Sequence, residues 1–267
     1  MADQAQAPLW KHRLFVVGHV AKGVVFFLIG GLGTYAMIRG VRDPQGILDV
    51  LVWVHEQAFG KVLVTLLGLG LLAHGAWRWW KVFDKGSDGQ PKVVAIGERL
   101  AHVIGGTFYI LLSLFAISML WIKPKSDTGN GGEKALRFTL KIPWGEWLVG
   151  LVGAIVILVG IFLAVRGCRQ HLMEALDPGD MQQWKRRAYR AIGMAGYVAW
   201  GMVNAVIGYF LIRVAMTHEP DKYRGIRGAL EFLGGRTFGF ILLGAVSVGL
   251  LLFGVFMIAK ARYHHAD

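Results

Sequence analysis

The sequence predicts an all-α membrane protein with six transmembrane helices, arranged as three tandem, parallel two-helix repeats. Three observations predict it: a strongly apolar composition, six long stretches nearly free of charge, and an internal repeat that recurs in register. Of the 267 residues, 55% are apolar and 17% charged, with a mean hydropathy of +0.48. Soluble domains carry about 25% charged residues. Gly is abundant at 37 residues and Pro scarce at 7. This excludes a disordered chain, which is poor in apolar residues, and collagen, which needs Gly at every third place. A single cysteine, Cys168, excludes an intramolecular disulfide framework and a multi-cysteine metal site.

A helix rises about 1.5 Å per residue, so a hydrocarbon core of ~30 Å needs roughly 20 apolar residues. Leu14–Ile38 supplies the first span, interrupted only by Lys22. Val62–Trp77 supplies the second and runs on to Lys81. Leu100–Ile122, Trp147–Val165, Ala191–Ile212 and Thr237–Ala259 contain no Asp, Glu, Lys or Arg. Lipid offers the backbone no hydrogen bonds, so such runs are expected to be helices. Trp10, Trp77, Trp79, Trp80, Trp121, Trp144 and Trp147 fall near predicted span ends, where an aromatic belt sits at the headgroups. Trp200 lies inside a span and is expected to pack. Lys11 and Arg13 precede an apolar run longer than a cleavable signal core, so the first helix is expected to be a retained anchor.

Self-comparison aligns His19–Gly23 with His102–Gly106 and with Tyr197–Gly201. Seven residues on stand Gly30, Ser113 and Gly208. Each unit then has a short amphipathic piece, at 46–48, 134–138 and 228–233. An aromatic-glycine pair opens each second helix: Phe59-Gly60, Trp144-Gly145 and Phe238-Gly239. Gly75, Gly160 and Gly254 follow fifteen residues later, and Lys81, Arg166 and Lys260 close the helices. The expected divisions are a tail at 1–13, repeats at 14–85, 97–170 and 190–262, a linker at 86–96, a basic linker at 171–189, and a tail at 263–267. Two spans per repeat is an even number, so the repeats run parallel, unlike the inverted repeats of many transporters.

Small residues recur at seven-residue spacing, as in Gly23–Gly30, Gly68–Gly75 and Gly153–Gly160–Gly167. Helices in lipid associate largely by close van der Waals packing, which small residues permit. A seven-residue period keeps one face on a neighbour. Packing therefore outweighs sliding or hinging as the reason for these glycines.

Basic residues divide almost evenly between the two sides, with a small inner excess if the N-terminus is inside. The positive-inside rule then places both termini in the cytoplasm. Lys81, Arg166, Lys185, Arg186, Arg187 and Lys260 are expected to face anionic lipid headgroups. The net charge of +12 is spread over both faces, and no nucleic-acid motif appears, so no nucleic-acid partner is expected.

The runs Gly18–Gly30, Gly68–Arg78 and Gly228–Leu233 resemble one bacterial membrane family, catalogued as domain of unknown function 1206. The resemblance covers nearly the whole chain. The first and third units match well. The second departs, with Gly105 where the family has a basic residue. The resemblance implies three tandem two-helix units and a bacterial inner-membrane location. It implies no activity.

Ionisable groups inside a span are costly and mark functional candidates. Lys22 is the plainest, near enough to the inner end to snorkel. Asn204 is expected to hydrogen-bond between helices. His19, His74 and His102 fall at comparable depth toward the inner leaflet, and paired imidazoles are what a b-type haem needs as axial ligands. Ordinary hydrogen-bonded histidines are the plainer reading. No catalytic motif appears, and neither a metal nor a cofactor is called for.

The function expected is a non-enzymatic structural or accessory component of a membrane assembly, with a membrane protein or a second copy of the chain as partner. The alternatives are a small-solute transporter or channel lined by Lys22, Asn204 and the histidines, and a haem-binding redox subunit.

Overall fold

In the computed structural model of the chain, all described elements are helices. The structure describes residues 9–39, 46–83, 92–121, 136–168, 183–220, 225–234 and 239–263. They are α1 (Leu9–Ile38), α2 (Ile47–Glu56), α3 (Gly60–Phe83), α4 (Lys92–Ser118), α5 (Gly145–Cys168), α6 (Gln183–Thr217), α7 (Ile226–Gly234) and α8 (Gly239–Tyr263). Among these residues, Arg13–Ile38, Gly60–Phe83, Gly145–Cys168, Gln183–Thr217 and Ile241–Arg262 are long and apolar enough to cross a membrane.

The remaining predicted span corresponds to α4, whose apolar stretch His102–Ser118 is shorter. The sequence run continues to Ile122, but the helix stops at Ser118, where the hydroxyl turns back to the Phe115 carbonyl at 2.7 Å. Residues 119–121 are turns. Three helices begin five or more residues before the apolar runs do, at Leu9, Lys92 and Gln183. So α6 takes in Lys185, Arg186 and Arg187, which the sequence assigns to a linker. At 35 residues, α6 is roughly 50 Å long, well beyond a ~30 Å core.

The aromatic-glycine pairs have a local cause. Phe59 and Trp144 adopt the left-handed backbone conformation, with φ of 62° and 68°. The following glycine then lies against a carbonyl of the preceding turn. A Cβ on Gly60 would stand 2.1 Å from the His55 oxygen, and one on Gly145 would stand 1.9 Å from the Thr139 oxygen. Gly239 shows the same approach to the Gly234 oxygen, at 2.0 Å. Gly145→Ala is therefore expected to destabilise by roughly 1–3 kcal/mol, read as a lower unfolding midpoint in detergent.

The chain forms two compact units. One holds residues 1–24, 53–123 and 257–267. Here α3 packs on α4 through the predicted small residues. A Cβ on Gly75 would lie 2.9 Å from the Gly106 oxygen, and Ser113 Oγ donates to the Gly68 carbonyl at 2.8 Å. The start of α1 packs on α3, with Gly18 against the His74 backbone and Ala21 against Gly70.

The other unit holds residues 25–52 and 124–256. Within it α5 packs on α6, with Gly153 against Gly208 and Gly160 against Gly201. The later part of α1 packs on α8, where a Cβ on Gly30 would lie 2.5 Å from the Ser247 oxygen. Thus Gly68–Ser113, Gly153–Gly208 and Ser247–Gly30 are equivalent contacts. Each joins the second helix of one predicted unit to the first helix of another. Gly196 meets the Phe253 backbone, and Gly249 meets Ala199, as Gly18 and Gly70 do on α1 and α3.

Helices α2 and α7 are linked by an ion pair from Arg227 to Asp49 at 3.7 Å. The Asp49 carboxylate also accepts from the Gly46 N–H at 2.8 Å, capping α2. His218 Nε2 bonds the Glu146 carboxylate, tying the end of α6 to the start of α5. Leu136, Val149, Leu211, Val214 and Ala215 form a buried apolar cluster beside this link.

Candidate functional site: a polar cluster in the first unit

Most buried residues of the first unit are apolar, but one junction of α1, α3 and α4 is not. His19 and His74 are 5% and 2% exposed. Their rings meet edge to face with centroids 4.9 Å apart. Trp77 lies one turn after His74 and contacts His19 at 5.2 Å and His102 at 6.2 Å. Tyr109 of α4 closes the other side of His74 at 4.6 Å. The Lys22 ammonium stands over the Tyr109 ring, 5.4 Å from its centroid.

Two local features shape the junction. Gly18 lets α1 approach the α3 backbone, since a Cβ there would lie 2.6 Å from His74 Cα. Gly105 makes room for Arg78, because a Cβ on Gly105 would lie 2.5 Å from a guanidinium nitrogen. Gly105 aligns with Lys22. At this place in the second unit, positive charge comes from Arg78 of the neighbouring helix instead.

The hydrogen bonds separate the two buried histidines. Phe15 stacks on His19 at 3.9 Å, and its carbonyl oxygen lies 2.9 Å from His19 Nδ1. A carbonyl can only accept, so the proton sits on Nδ1. Neither ring nitrogen of His74 has a hydrogen-bond partner among the described residues. A buried imidazole with both nitrogens unmatched costs about 1–3 kcal/mol, and such groups call for an explanation.

The third predicted unit supplies an internal control. There Tyr197, Trp200, Phe253 and Phe256 stand where the first unit has His19, Lys22, His74 and Trp77. The ring geometry is nearly the same. Tyr197–Phe253 centroids are 5.3 Å apart at 79°, against 4.9 Å at 79° for His19–His74. Tyr197–Phe256 stand at 5.6 Å, against 5.2 Å for His19–Trp77. The fold therefore closes this junction with aromatic and phenolic side chains, and packing does not require His19, Lys22 and His74.

The structure brings His19, His74 and His102 into one neighbourhood, with His19 and His74 in direct ring contact. A bis-imidazole haem needs the porphyrin plane between its two ligands, and the touching His19 and His74 rings leave no such gap between that one pair. Among the described residues no group of three metal-binding side chains is present. Asn204 bonds the Trp200 carbonyl of its own helix at 2.8 Å, not another helix, a local back-bond open to a short amide. Lys81 lies over Trp77 and Trp80, at 6.0 and 5.7 Å. Arg166, Lys185 and Arg187 are exposed, while Arg186 and Lys260 are half-buried. Trp121, Trp144 and Trp147 are highly exposed, as interfacial anchors should be. Trp77 instead forms a wall of the cluster.

Sequence reading missed Trp77, Arg78 and Tyr109 as members. The signal was available: residues 74, 77 and 78 share one helix face. The same holds for 102, 105 and 109.

A family model described as Domain of Unknown Function (DUF1206) matches the chain three times, at residues 17–84, 100–170 and 195–264. An uncharacterized protein of Bacillus subtilis (strain 168), YxxB, is 29% identical over 258 residues, covering 96% of this chain and 92% of that protein. No solved structure matches.

Proposed function

The chain belongs to this three-repeat family of unknown function, and from that premise we propose that it is a six-span, non-enzymatic protein of the bacterial inner membrane. In this reading the repeats run parallel, α4 crosses the bilayer with α1, α3, α5, α6 and α8, and both termini are cytoplasmic. The protein serves as an accessory component of a membrane assembly, with a membrane protein or a second copy as partner. Its working part is the polar cluster around His74, which binds rather than reacts. The observation that carries this is the third unit's aromatic version of the same junction. Packing contacts recur in several units, while the histidine-lysine set occurs once, so that set is a candidate for function.

Two measurements test the reading. Photo-crosslinking of the full-length protein in its native membrane is expected to trap one recurrent partner or a dimer. Only monomers, before and after mild detergent extraction, would remove the accessory role. The single cysteine reports sidedness, because Cys168 is exposed at the end of α5. A membrane-impermeant maleimide is expected to label it only after the cells are opened. Labelling of intact cells would reverse the topology.

A second reading, passage of a small solute, is favoured by Lys22 lying beside the buried imidazoles. It predicts flux in proteoliposomes that Lys22→Gln slows.

A further inference from the structure

We draw no further inference here: the strongest candidate, the buried imidazole of His74 in the side-chain cluster of α1, α3 and α4, belongs to the site already described, and nothing among the described residues selects the class of ligand it would take.

Discussion

Gly30→Ala is expected to destabilise the protein by about 3 kcal/mol, while Gly31→Ala, one residue along, is neutral or stabilising by up to ~1 kcal/mol. A methyl on Gly30 would stand 2.2 Å from the Leu251 nitrogen and 2.5 Å from the Ser247 oxygen. Both are backbone atoms of α8, so no rotamer change relieves the clash and the two helices must part. A methyl on Gly31 meets nothing within 4 Å, leaving only the gain in helix propensity from Gly to Ala. The check is the unfolding midpoint of both variants in the same detergent. Equal midpoints would mean that α1 and α8 are not packed at Gly30.

His74→Phe is expected to raise stability by roughly 1–3 kcal/mol, since it removes two buried polar atoms that have no hydrogen-bond partner among the described residues. The ring shape is kept, and Phe253 already occupies the matching position, 5.3 Å from Tyr197. His74→Ala has the opposite sign, at about 3 kcal/mol destabilising, because a cavity replaces the ring. Thermal unfolding in detergent decides between these outcomes. A less stable His74→Phe would show that the fold itself satisfies the imidazole.

The cluster was partly legible beforehand. His19, His74 and His102 stood out in the sequence because each is a polar residue in an apolar run at matching depth. That alignment also pointed to Tyr197 and Phe253 as their counterparts. It could not tell edge contact from the spacing a porphyrin needs, because periodicity fixes which face a residue occupies and not how two faces dock. Its position near a span end marks Trp77 as an interfacial anchor. Its place beside His74 depends on how closely α1 approaches α3 at Gly18.

The order of residues alone determined where the apolar helices lie, though not all of their ends, since long apolar runs in lipid must satisfy their own backbone bonds. It also determined the glycine rows, the aromatic-glycine openings and the small residues available for contact. Tertiary structure decided which rows meet: α3 with α4, α5 with α6, and the later part of α1 with α8. It also decided that Arg78 fills the space beside Gly105 and that His74 is enclosed with no hydrogen-bond partner among the described residues. The reason is physical. Small residues state that a helix can be approached closely, but only the three-dimensional path of the chain selects the neighbour that does so.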